Sequence, residues 1–125
     1  HAYIEFRNFP LDIAALNASK IVHCKNDGNS KILHFIIKNQ GQWVKGKTID
    51  DLNKNLKSFI EKSEFKINFE ECLNNKLVED HILEDRINGA KKFKIESTPT
   101  LIINDEKFEN HSNYKKLKKY LEKLI

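Results

Sequence analysis

A proline directly in front of an apolar strand is the feature of this sequence with the clearest chemical meaning. Thr98-Pro99 is followed by Thr100, an apolar run at 101–103 and a turn at Asn104-Asp105. Proline has no N–H to donate to a sheet, so it is accepted at the first position of a strand, and the bond before it is where a cis peptide is accessible. The residues leave two alternatives open, a trans proline of structural use and a cis-proline loop.

The two cysteines, Cys24 and Cys72, are the other residues with chemical potential. They do not form a Cys-x-x-Cys motif, in which one thiol is activated as a thiolate, so no residue of this chain is predicted to be catalytic. We expect a structural disulfide between them, as is usual in exported proteins. The alternative is two buried free thiols in a cytosolic protein.

A metal site built from the cysteines with His23 or His81 is disfavoured by the spacing of these residues. Zinc sites usually have pairs of ligands two to four residues apart, and neighbouring side chains such as His23 and Cys24 do not point at one ion. We therefore expect neither a metal nor a cofactor.

Composition limits the class of protein. The 125 residues are 39% hydrophobic and 32% charged, which suits one soluble domain with its own core. No run approaches the roughly 20 apolar residues of a membrane span, and no signal peptide is visible; the start without methionine suggests a trimmed product. The net charge of +4 is modest, and the lysines of the last helix favour a solvated basic face over a phosphate or anionic-lipid patch. Nucleic acid is not an expected partner.

Hydrophobic patterns predict one strand, four or five helices, two strands and a final helix. Alternation predicts the first strand at 3–7, and a turn is expected at 26–29. Capping residues predict helices that begin near Asp12, Ser30, Thr48 and Asn68, the second of which is closed by Gly41. A long helix at 77–93, strands from Thr100 onward and a helix at 114–124 complete the order. The fold class is therefore α+β.

The order of these elements resembles the DsbA-like branch of the thioredoxin fold. Thr98-Pro99-Thr100 before an apolar strand resembles the cis-proline loop of that family, and residues 6–12 resemble its strand-to-helix segment before a helical insertion. The resemblance implies one domain over 1–125, in which 1–10 and 94–125 form a partial thioredoxin fold and 11–93 form the inserted helical subdomain. Some members carry a second, non-catalytic disulfide in that subdomain, which supports the pair Cys24 and Cys72.

The same resemblance implies that Thr98 and Pro99 bind substrate, because in the family the backbone before the proline pairs with an extended peptide. It also implies that the first strand and the catalytic helix with Cys-x-x-Cys are missing from this chain. Two sheet edges would then be unpaired. We expect upstream residues in the natural protein; the alternative is a homodimer through the exposed edge.

The resulting functional hypothesis is a fragment of a DsbA-like thiol:disulfide oxidoreductase that serves protein folding in the periplasm or another oxidising compartment. Its partners would be cysteine-containing unfolded or extended proteins and a membrane redox partner. In this form the chain would be inactive. The alternatives are a non-catalytic peptide-binding or interaction module on a thioredoxin-like scaffold and, more weakly, a nucleic-acid or membrane-surface binder that uses the basic tail.

Overall fold

The computed structural model describes residues 3–25, 29–109 and 113–125. These residues form two compact units, 1–85 and 86–125, and the boundary between them falls within a long helix. The elements follow the chain in this order: α1 (Ile13–His23), α2 (Lys31–Lys38), α3 (Gln40–Trp43), α4 (Ile49–Glu61), α5 (Phe69–Leu73), α6 (Lys76–Lys92), β1 (Leu101–Ile103), β2 (Glu106–Phe108) and α7 (Tyr114–Leu124).

Side-chain caps fix where several helices begin. The Asp12 carboxylate accepts a hydrogen bond from the Ala15 amide at 2.7 Å, which satisfies one of the unpaired N–H groups in the first turn of α1. Thr48 and Asp51 form a complete capping box at the start of α4. The predicted starts of these two helices are confirmed.

The first unit is helical and has its own hydrophobic core. Helix α1 packs against α2, α4 and α5, and Trp43 of α3 is buried with its Nε1 donating to the Ile36 carbonyl at 3.0 Å. Ile21, Leu56 and Ile60 are only 1% exposed. The buried residues of this core are Ala18, Ile21, Ile36, Trp43, Leu56, Ile60, Phe69 and Cys72.

The second unit contains the antiparallel hairpin β1–β2 and the final helix. Leu101 pairs with Phe108 and Ile103 with Glu106. The hairpin turn places Asn104 and Asp105 at φ 49° and 66°, the left-handed region that short polar side chains tolerate and two-residue hairpin loops require. The Phe108 ring lies 5.1 Å from that of Tyr120, so α7 packs on this hairpin.

Two predictions about local structure are wrong. Residues 3–7 do not form a strand, and Tyr3 and Ile4 are 98% and 83% exposed. Alternation supplies a suitable side-chain pattern, but a strand also needs a neighbour for its backbone groups, and this segment pairs with none of the described residues. Gly41 does not close α2; it lies inside α3. The turn predicted at 26–29 falls largely outside the described residues.

The α+β fold class is as predicted, with helices and a small sheet in one chain. The division of the sequence into a partial thioredoxin fold at 1–10 and 94–125 and a helical insertion at 11–93 stays a prediction.

Candidate functional site

The segment before β1 is an exposed loop held by one short hydrogen bond. Ser97, Thr98 and Pro99 are all exposed, and the Thr98–Pro99 peptide bond is cis. The Thr100 hydroxyl donates to the Ser97 carbonyl at 2.6 Å and so closes the loop across the proline. Leu101 then begins β1 directly. Thr98 and Pro99 are thereby exposed to solvent at the start of an apolar strand.

The end of α6 sets the direction of this loop. The Phe93 and Ile95 amides both donate to the Gly89 carbonyl, at 3.1 and 3.4 Å, and Lys94 between them takes φ 52°. A left-handed residue just past a helix end reverses the chain and satisfies otherwise unpaired carbonyls. The Lys94 carbonyl in turn accepts from Nζ of Lys107 in β2 at 3.4 Å. The loop therefore lies between a closed helix end and the hairpin.

The strand that follows the loop has one unpaired edge among the described residues. Within the described part of the chain, β1 is paired on one edge only, by β2. An unpaired edge offers a row of N–H and C=O groups, and recognition by strand addition uses those groups for affinity and neighbouring side chains for selectivity. The apolar residues 101–103, which are half-buried, would provide that side-chain contact.

Cys24 and Cys72 are joined by a disulfide with an S–S distance of 2.05 Å. Cys24 is the C-terminal cap of α1, and Cys72 lies within α5 and is 3% exposed. The bond ties together two helices of the core of the first unit. It also means that both cysteines of the sequence are oxidised, so neither offers a thiolate for nucleophilic attack.

The predicted site residues fall in different units. The disulfide belongs to the unit 1–85, whereas Thr98 and Pro99 belong to the unit 86–125. Within the unit 1–85, the disulfide links the end of α1 to α5 in the helical core. Within the unit 86–125, the proline loop leads directly into the hairpin.

A histidine-lined cavity in the first unit was not foreseen. It has a volume of about 200 Å³ and is lined by His23, His81, Leu77 and Val78. Burial lowers the pKa of His23, the nearby His81 lowers it further, and Asp85 opposes both effects. The His81 Nε2 lies 3.6 Å from an Asp85 oxygen. In the sequence, only the spacing of four residues between His81 and Asp85 could have suggested this cluster.

The described residues contain no group of three or more His, Cys, Asp or Glu side chains arranged to hold a metal ion. Over the same described ranges, no helix combines the length and apolar character needed to cross a membrane.

Comparison with known protein families finds a family to which nearly the whole chain is similar. A family model described as thioredoxin matches residues 1–123, which is nearly the full sequence. No curated protein and no solved structure matches significantly. The helices and small sheet described above are consistent with a thioredoxin-like α+β fold. This chain belongs to the thioredoxin family.

Proposed function

We propose that this chain is the substrate-binding part of a DsbA-like thiol:disulfide oxidoreductase that acts on disulfides of exported proteins. The thioredoxin family provides a scaffold suited to redox chemistry, and it is the basis for the general part of the proposal. The DsbA-like character, the substrate class and the compartment go beyond the family assignment.

One observation carries the proposal: the exposed loop at 97–99 leads directly into the open edge of β1. An extended polypeptide would pair its backbone with Thr98 and continue along β1. Pro99 contributes no N–H at this position, so its backbone can only accept through its carbonyl, and the donors available to the peptide are those of its neighbours. This arrangement supports an unfolded or extended polypeptide as the substrate better than a compact partner; that its substrates contain cysteine is part of the proposal.

The disulfide exchange itself would depend on a Cys-x-x-Cys that these 125 residues do not contain. Exchange needs a thiolate that attacks a substrate sulfur and forms a mixed disulfide. Both cysteines here are already bonded to each other. We therefore expect the chain alone to be inactive in a disulfide-exchange assay and the protein isolated from its source to be active.

The test is the mass and activity of the protein isolated from its source, with free thiols alkylated under non-reducing conditions. The proposal expects a mass larger than 125 residues account for, with a Cys-x-x-Cys in the additional sequence and with exchange activity. A protein of only these residues that catalysed exchange would contradict the proposed role of an external dithiol.

A second candidate function is a non-catalytic peptide-binding module. It is favoured by the combination of an open β1 edge with two cysteines that are both consumed in one disulfide. The same isolation experiment distinguishes the two candidates. If the isolated protein has no further cysteines and binds peptide, the result would support the binding-module function and contradict the oxidoreductase function.

For the compartment and the partners, we propose export to an oxidising environment, where a disulfide such as Cys24–Cys72 persists. The parent enzyme would then exchange electrons with a membrane redox partner, and a homodimer through the β1 edge is the alternative use of that edge. Acid quenching of intact cells, followed by alkylation of the denatured protein, tests the compartment, because in the folded protein Cys72 is 3% exposed and would escape the reagent even as a free thiol. Protection of both cysteines from the reagent supports export, whereas modification of both contradicts it.

A further inference from the structure

A second cavity of the unit 1–85 lies between the chain that follows α3 and one face of α4. Its volume is about 320 Å³, which lies in the lower part of the range of small-molecule sites. The Asn55 side chain donates to the Lys45 carbonyl at 2.7 Å and holds the chain after α3 against α4. The lining residues from α4 and its C-cap lie on one face of the helix, because they are three or four positions apart. The cavity is lined by Gln42, Lys45, Asn55, Ser58, Phe59 and Lys62.

The lining carries two positive charges and no negative one. Lys45 and Lys62 are both exposed, and neither forms an ion pair with another described residue. Lys57 of α4, by contrast, is paired with Glu70 at 3.0 Å. Lys45 lies beside Asn55, and Lys62 follows Asn55 by seven residues, or about 10 Å along the helix axis. The two lysines therefore line the cavity at its two ends.

The dipole of α4 explains only part of this charge. Lys62 is the C-cap of α4, where a cation is favoured, but Lys45 follows the single turn of α3, whose dipole is small. The carbonyls at the end of α4 are also engaged. That of Ser58 accepts from the Lys62 amide at 3.2 Å, and that of Ile60 accepts from the Ser63 amide at 3.0 Å. These bonds reduce the repulsion that free carbonyls would exert on an anion.

Phe59 supplies an apolar surface in the same cavity. Its ring is half-buried and stacks on that of Phe35, with 4.7 Å between the centroids and 15° between the planes. The Gln42 amide in the lining is held by a hydrogen bond from its Nε2 to Asn39 Oδ1 at 3.2 Å, and the Ser58 hydroxyl adds a neutral donor. The cavity therefore combines a supported aromatic ring with neutral hydrogen-bonding groups and two cations.

We propose that this cavity binds a small organic anion that has a flat apolar body. The body stacks against Phe59, and the anionic groups pair with Lys45 and Lys62. A lysine ammonium binds carboxylate and phosphate alike, so the shared chemistry is a negatively charged group on an aromatic ring. Inorganic phosphate fits less well, because it leaves the apolar ring without a partner. The proposal involves only the unit 1–85 and does not rest on the proposed oxidoreductase function.

The experiment is an NMR titration of the isotopically labelled full chain with four probes. Isophthalate and phenyl phosphate carry their charge on an aromatic ring, isophthalamide has the ring without charge, and inorganic phosphate has the charge without a ring. The charge variant is Lys45→Gln/Lys62→Gln. Its matched control is Lys25→Gln/Lys54→Gln, which removes the same charge from exposed positions outside the lining. A third variant, Phe59→Leu, tests the ring, and the spectrum of each free variant verifies that it is folded.

We expect at least one aromatic anion to bind about tenfold more tightly than isophthalamide and inorganic phosphate, with shift changes concentrated at 42–62. Comparison of isophthalate with phenyl phosphate then identifies the preferred anionic group. The charge variant should lose about tenfold in affinity, and its control should lose little. Phe59→Leu should weaken binding of both aromatic anions. The two charge variants change exposed residues only, so their comparison stands even if Phe59→Leu does not fold.

Isophthalamide or inorganic phosphate binding as tightly as the aromatic anions would overturn the proposal. Equal losses of affinity in the charge variant and its control would also overturn it. So would shift changes that lie outside 42–62, or the absence of binding of both aromatic anions at millimolar concentration.

Discussion

Lys20 is a charged side chain inside the helical unit, and its partner carboxylate makes its burial tolerable. It is 6% exposed, and its Nζ lies 2.9 Å from an oxygen of Glu79. The hydrogen bond from Lys20, together with the attraction of its charge, lowers the pKa of Glu79 from the ordinary value of 4.5. Because the pKa is lowered in the folded state, the contribution of Glu79 to stability is present above that ordinary value and is lost as the pH falls through the lowered one.

Substitution of Glu79 tests this pair. Glu79→Gln should reduce the free energy of unfolding at neutral pH by about 2 kcal/mol, because it leaves a buried ammonium without its counter-charge. The difference from the unsubstituted chain should shrink in acid, where the carboxylate is protonated in both states. Urea unfolding at several pH values measures both effects.

The matched control is Glu70→Gln, which breaks the ion pair of Glu70 with Lys57. Both side chains of that pair are well exposed, so its removal should leave stability unchanged within error. Equal effects of Glu79→Gln and Glu70→Gln, or an effect of Glu79→Gln that does not depend on pH, would contradict the account.

At the scale of elements, the Cys24–Cys72 bond joins the end of α1 to α5 across 48 positions of the sequence. A cross-link of this span restricts the unfolded chain. The variant Cys24→Ala/Cys72→Ala should therefore lose roughly 3 to 4 kcal/mol of unfolding free energy in the chain-entropy description. Chemical unfolding under oxidising and reducing conditions measures it. A reductant should destabilise the unsubstituted chain and leave the variant unaffected; a variant as stable as the oxidised chain would show that the bond does not stabilise this unit.

Helix α4 contributes the centre of the core of the first unit through Leu56, which is 1% exposed. Leu56→Ala should cost about 3 kcal/mol, because it removes buried methyl groups and leaves a cavity among the neighbouring helices. Leu77→Ala makes the same chemical change at a residue that is 83% exposed and should change stability by less than about 0.5 kcal/mol. Thermal or urea unfolding of both variants measures this difference. Similar losses of stability in the two variants would contradict the assignment of Leu56 to the core.

Local capping signals predicted where helices begin, although the local stop signal at Gly41 was wrong, and the backbone pairing needed for a strand at 3–7 could not be predicted locally. Thr48 and Asp51 cap α4 because a capping box is formed within four residues. The strand expected at 3–7 failed because a strand depends on a partner that no local pattern supplies. The same distinction applies to sites. Thr98-Pro99 was visible in the sequence, whereas the cavity between His23 and His81 requires α1 and α6 to meet.

At the scale of the whole molecule, the sequence was sufficient to predict an α+β, thioredoxin-like chain, and the family match over 1–123 supports that class. The chain consists of a disulfide-linked helical unit and a unit with the proline loop and the hairpin. The proposed activity draws on the second of these for substrate binding. Its central claim is that an extended peptide pairs with the loop at 97–99 and the open edge of β1.

The most direct test of that claim is an NMR titration of the isotopically labelled chain with an extended peptide whose cysteines are blocked. The variant Thr100→Val removes the hydrogen bond that closes the loop, and Thr98→Val makes the same change two residues away without touching that bond. The account predicts shift changes concentrated at 97–103, with affinity roughly fivefold lower for Thr100→Val, equivalent to about 1 kcal/mol, and nearly unchanged for Thr98→Val. Shift changes confined to the unit 1–85, or no binding at all, would contradict it.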